Sequence, residues 1–150
     1  HLGTGIDAHD VTRADPVYDC GSCLYPQADD EIMRSVLTNQ GDRDYRIYEI
    51  PTSAITLEGK KIRYFDFISS LREEGCSRAL RRIVPRIDMG KIGKLIYDTP
   101  FLSDLQRQFY LTMLAERKAK ILDFALEKLE QAKDGLLPVK HKAGKDRDAR

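Results

Sequence analysis

At 150 residues with 41% hydrophobic content, the chain is long enough to bury one compact core, although it has no tryptophan. Its 25 basic and 24 acidic side chains leave a formal charge of +1, so bulk charge gives neither a nucleic-acid nor an anionic-membrane footprint. No apolar run approaches a membrane span and His1-Leu2-Gly3 does not begin a signal peptide, which makes the cytoplasm the expected location.

From His1 to Arg13 the sequence is irregular: Gly3, Gly5 and several Asp and His residues, without periodicity. His1, Asp7, His9 and Asp10 read as solvated loop residues. Asp15-Pro16-Val17-Tyr18 is then extended, because proline pushes its predecessor out of the helical region and Val-Tyr favours a strand. Asp19-Cys20-Gly21-Ser22-Cys23 follows. A carboxylate two residues before a glycine, where a strand gives out into a turn, can aim its oxygens at a ligand while the backbone bends freely. That arrangement suits a metal-phosphate group.

Three cysteines are an odd number, which argues against a disulfide framework and for a reducing compartment. Cys20 and Cys23 have the spacing of zinc and redox pairs. Zinc needs a second ligand pair, however, and Cys76, His9 and His141 offer none. A redox dithiol needs a helix to open at the pair, and Pro26 with Gln27-Ala28-Asp29-Asp30 delays one.

Asp29 or Asp30 caps a helix from Glu31 to about Asn39 with Ile32, Met33, Val36 and Leu37 inward, ended by Gln40-Gly41-Asp42. Tyr45 to Ile50 alternates like a strand, and Ile55 to Tyr64 reads as a hairpin around Glu58-Gly59. The chain becomes helical from Phe65, with Phe67, Ile68 and Leu71 on one face and closure at Gly75. A basic helix from Ser77 packs Leu80, Ile83 and Val84 until Pro85. Asp88 caps another with Met89, Ile92, Leu95 and Ile96, ending at Thr99-Pro100.

Leu102 to about Lys133 is the longest periodic segment, capped by Ser103-Asp104. Leu105, Phe109, Met113, Leu122, Leu126 and Leu129 mark its apolar face, interrupted at Glu116-Arg117-Lys118, where the stripe turns to solvent or the helix bends. Core packing explains this face better than a partner does, since the chain needs it to complete its own core. The mixed-charge tail after Gly135 lacks apolar anchors and is expected to be disordered.

Pro16-Val17-Tyr18-Asp19-Cys20-Gly21-Ser22-Cys23-Leu24 resembles the metal-binding loop of the HipA-like serine/threonine kinases, which stands where other protein kinases have Asp-Phe-Gly. Pro51-Thr52-Ser53-Ala54-Ile55 and the run from Gly59 to Ile68 look like the segment that follows it in that family. The resemblance implies a mainly α, protein-kinase-like C-lobe helical domain with a small β-hairpin and without the N-lobe. It divides the chain into a catalytic-loop remnant (1–14), the helical domain (15–134) and the charged tail (135–150). Asp19 would be the carboxylate that holds Mg2+, and Asp19 with Ser22 would face the ATP-Mg cofactor.

No catalytic residue is assigned within the chain. The family's Asp-Arg-His-x-Gly-Asn loop aligns with His1-Leu2-Gly3, which puts its catalytic Asp ahead of His1 and gives Thr4, a poorer Mg2+ ligand, the Asn position. No glycine-rich phosphate loop or strand-borne lysine is visible. The length and the start at His1 without methionine suggest a fragment, expected to be inactive alone and to bind neither ATP nor Mg2+ tightly. Implied partners are a protein substrate of the intact kinase, an antitoxin-like protein or a separate N-lobe. The alternative reading is a non-catalytic helical interaction module.

Overall fold

The computed structural model describes residues 24–133 other than 26 and 58. Within them lie seven α-helices and one two-stranded hairpin. The expected irregular stretch 1–14 and charged tail 135–150 lie outside the described residues.

Helix α1 (Asp30–Thr38) starts where Asp29 accepts a hydrogen bond from the Ile32 amide at 2.8 Å. It buries Met33 and Val36, with Ile32 and Leu37 half-buried beside them. Gln40-Gly41-Asp42 does not end helical structure but opens α2 (Gln40–Tyr48), because the Asn39 side chain accepts from the Asp42 amide at 3.2 Å. The expected strand at Tyr45 to Ile50 is therefore largely this helix. Its alternation is too short to separate a period of 2 from 3.6, and burial of Ile47 against α1 decides the outcome. Arg43 locks the corner, donating from Nη1 to the Val36 and Leu37 carbonyls at 3.1 and 3.0 Å, where α1 leaves acceptors open.

Strands β1 (Thr56–Leu57) and β2 (Lys60–Lys61) pair antiparallel, Thr56 opposite Lys61, around Gly59 at φ 78°. Helix α3 (Tyr64–Ser70) is closed by Leu71 at φ 55° rather than by Gly75, which lies inside α4 (Glu74–Ile83). The start signal read at Ser77 is thus one turn late: Ser77 is buried in the helix.

After a 3₁₀ turn at Val84–Arg86, Asp88 caps α5 (Met89–Asp98) by accepting from the Lys91 amide at 3.1 Å. Leu80, Val84 and Ile96 are buried as expected, but Ile83 and Leu95 are 49% and 69% exposed. Two helices of about ten residues each bury only a narrow stripe, and both side chains fall outside it.

Helix α6 (Asp104–Arg117) opens with a reciprocal cap: the Gln106 amide donates to Ser103 Oγ at 3.1 Å, and the Ser103 amide to Gln106 Oε1 at 2.8 Å. A π segment (Lys118–Asp123) then leads into α7 (Phe124–Lys133), so the break expected at Glu116-Arg117-Lys118 is a change of helical register. Phe109 and Met113 complete one core with Met33, Val36 and Ile47. Ala125 and Leu129 complete a second with Leu80 and Val84. The long helix thus packs its apolar stripe on both cores of the chain.

Candidate functional site

Asp19 and Ser22, the residues singled out for Mg2+ and ATP, lie outside the described residues, as do Cys20, Cys23, His1, Thr4, Asp7, His9, Asp10 and His141. What is described is where the segment after them joins the helical body. Among the described residues, no group of three or more His, Cys, Asp or Glu side chains could hold a metal ion, and Cys76 is a half-buried free thiol.

Tyr25 makes that junction. Its backbone is left-handed at φ 54°, and its carbonyl accepts from the Ala28 amide at 3.0 Å, one residue before the cap of α1. The ring meets Phe109 edge to face, with centroids 6.3 Å apart, which ties it to the larger core. Its hydroxyl lies 2.8 Å from the Arg46 carbonyl and 2.9 Å from the Ile50 carbonyl, so the single phenolic proton is shared between the two acceptors at the end of α2.

The remaining donors come from Arg117, the last residue of α6. Its Nη2 donates to the Tyr25 hydroxyl, to the Ile50 carbonyl at 2.8 Å and to the Arg46 carbonyl at 3.3 Å. Its guanidinium carbon stands 5.0 Å from the Tyr25 ring centroid, and that of Arg46 stands 5.4 Å away. Burial pushes the Tyr25 phenol above its ordinary pKa, opposed by the charges of Arg117 and Arg46. The phenol stays protonated at neutral pH, as a donor to carbonyls must.

Sequence reasoning missed both residues. At Glu116-Arg117-Lys118 the sequence leaves open whether the apolar stripe turns to solvent or the helix bends, yet Phe109, Met113 and Arg117 are spaced by four and share one face. That spacing was the available signal. Nothing in the sequence marks Tyr25 as its partner, since the two are 92 residues apart.

A second polar group braces the register change. Lys120 reaches Asp44 of α2 at 2.6 Å and Glu116 at 2.7 Å, while Lys118 pairs with Asp123 at 2.7 Å. The hydrogen bond from Lys120 holds the Asp44 carboxyl below the usual range and correspondingly raises the lysine. A carboxyl with a depressed folded pKa contributes stability above its unfolded pKa of about 4 and loses it as pH falls. Asp44→Asn should therefore lower the melting temperature at neutral pH and flatten its decline below about pH 4, which thermal melts across pH 2.5–7 would read. A parallel decline in both proteins would remove Asp44 from the acid transition.

These elements form a mainly helical fold with one hairpin, and that fold is similar to part of a protein kinase. The particular kinase it resembles is CtkA of Helicobacter pylori. The chain is 50% identical to that serine/threonine-protein kinase over 111 residues, which are 73% of this chain and 34% of the relative. A crystal structure of a Helicobacter pylori proinflammatory kinase CtkA matches with a TM-score of 0.74 at 46% identity, covering 79% of this chain and 44% of that one. The chain thus spans about a third of the length of the curated relative that it matches. No family model matches it. No helix among the described residues is long and apolar enough to cross a membrane.

Proposed function

We propose that the chain is the C-terminal lobe portion of a HipA-like serine/threonine kinase, which in its intact form transfers a phosphoryl group from ATP-Mg to a protein hydroxyl. The observation that carries this reading is the 50% identity over 111 residues to a serine/threonine-protein kinase. Asp19 is the Mg2+-holding carboxylate and Ser22 its neighbour toward the nucleotide, supported by the match of Pro16 to Leu24 to the family's metal-binding loop. Phosphoryl transfer is chiefly positioning and charge neutralisation. Asp19 would fix the cation, whose charge draws electron density from the phosphate oxygens. The nucleotide-holding lobe and the catalytic aspartate come from elsewhere in the kinase, and the protein works in the cytoplasm. An antitoxin-like protein or a separately encoded N-lobe is the partner class that the HipA-like reading supports.

Alone, the 150-residue chain is inactive. Incubated with labelled ATP and Mg2+, it should transfer no phosphate above background; transfer that Asp19→Ala abolishes would overturn this. Mn2+, standing in for Mg2+, should broaden the amide resonances around Asp19 first, and Asp19→Ala should remove that broadening. Broadening centred elsewhere would discard Asp19 as the ligand.

One observation favours a non-catalytic interaction module as the second reading. Leu95, Tyr97 and Phe101 are 69%, 61% and fully exposed around the end of α5, and Phe101 sits at φ 66°, a backbone region costly for an aromatic residue.

A further inference from the structure

We propose that the exposed arginine ridge of α4 and the 3₁₀ turn after it is a docking surface for an acidic peptide segment of a partner protein. The proposal goes beyond the kinase reading and does not depend on it. Between Ser77 and Ile87 the chain carries Arg78, Arg81, Arg82 and Arg86 and no acidic residue, against a formal charge of +1 for the whole sequence. Arg78 and Arg82 lie one turn apart on one side of α4, and Arg86 follows at the same interval in the 3₁₀ turn; all three are exposed. Leu80 and Val84 of the same stretch are buried with Ala125 and Leu129 of α7, which gives the ridge a fixed base.

Charge complementarity sets the chemistry of the occupant. Arg78 meets Glu74 at 2.6 Å within α4, and Arg81 meets Glu130 of α7 at 3.5 Å. Arg82 and Arg86 have no acidic partner among the described residues. Two such guanidinium groups, set about 6 Å apart along the helix axis, suit a pair of carboxylates at the spacing of one helical turn. Ile83, 49% exposed beside Arg82, offers an apolar contact that a peptide side chain can cover. The surroundings of the ridge disfavour a longer polyanion. Glu73 and Glu74 stand at its start, Asp88 just past its end and Glu130 at its flank, all exposed. A nucleic-acid duplex or an anionic membrane, carrying charge well beyond the ridge, would be pressed against these carboxylates, whereas a short acidic segment fits between them.

The test is a titration of the isotope-labelled full chain with a blocked octaglutamate peptide, followed by amide resonances. The amides of Arg82, Ile83 and Arg86 should shift first, and the shifts should fade as salt rises from about 20 to about 300 mM. A blocked octaglutamine peptide should leave them in place. The double variant Arg82→Gln/Arg86→Gln should weaken octaglutamate binding roughly fivefold, the scale of losing two exposed ion pairs. Both side chains are exposed, so these substitutions leave the core intact. Arg34→Gln, at an exposed arginine of α1, should leave the affinity unchanged.

No response at the ridge to octaglutamate, equal shifts with octaglutamine, or binding that survives the double variant would each overturn the proposal. So would tighter binding at these residues, for equal anionic charge, of a short DNA duplex or of phosphatidylcholine vesicles containing phosphatidylglycerol, which would make the ridge a nucleic-acid or membrane contact instead. None of these readouts requires catalysis, so failure of the kinase reading would leave the result intact.

Discussion

Truncating Phe109 to alanine should cost about 3–5 kcal/mol of unfolding free energy, the range for deleting a fully buried aromatic ring. Phe109 is 0% exposed and is the largest side chain in a cluster drawn from α1, α2 and α6. Its ring also meets Tyr25 and Tyr110 edge to face at 6.3 and 5.7 Å, so the cavity would remove support from three elements and from the Tyr25 junction together. A domain with a total stability of about 5–15 kcal/mol would be brought close to unfolding. Urea denaturation at 25 °C measures the loss, with Phe109→Leu as the milder comparison at under about 1.5 kcal/mol, because it conserves more of the volume. A loss below about 1 kcal/mol for Phe109→Ala would mean that the cluster is not the principal core.

The second large effect is expected in the opposite steric direction. Ala125 is 0% exposed on α7, packed with Leu80, Val84 and Leu129 where α7 meets α4. Ala125→Leu inserts three carbons into that contact and should destabilise by about 1–3 kcal/mol. Glu127→Leu, at an exposed position two residues further along α7, should change stability by less than about 0.5 kcal/mol. Equal effects at the two positions would contradict the packing of α7 on α4.

The helical body was largely legible because its signals are local. Asp29, Asp88 and Ser103 each cap the helix their position announces, and Phe109 and Met113 lie on the stripe their spacing defines. The failures at Tyr45 to Ile50 and at Arg117 share one cause, that neighbours elsewhere in the chain decide the outcome. Tyr45 to Ile50 alternates, but burial of Ile47 on α1 holds it as helix. Gly75 reads as a stop, yet Leu71 takes the left-handed position first. Arg117 carries a charge that suggests solvent, and the Tyr25 hydroxyl with the Arg46 and Ile50 carbonyls, all distant in sequence, accounts for its turning inward.

For the candidate site the sequence contributed the motif, and the structure describes the chain from Leu24 onward. Asp19 and Ser22 are named by resemblance to the HipA-like loop, and they precede the described residues. Tyr25 and Arg117 are named by geometry, without any motif. The Tyr25 side chain is held by two backbone carbonyls, a guanidinium and the edge of a core ring, which fixes the first described residues on the helical body.

The most direct measurement is made in the context of the longer kinase: this chain replaces the corresponding part of Helicobacter pylori CtkA, and ATP-dependent phosphorylation of a protein substrate is followed. The folded chimera should phosphorylate serine or threonine, and Asp19→Asn within it should lower the rate about 100-fold or more, the scale of a metal charge lost from the transferring phosphoryl group. A folded chimera without activity, or one whose rate ignores Asp19→Asn, would contradict the assignment of this chain as the metal-holding part of a kinase.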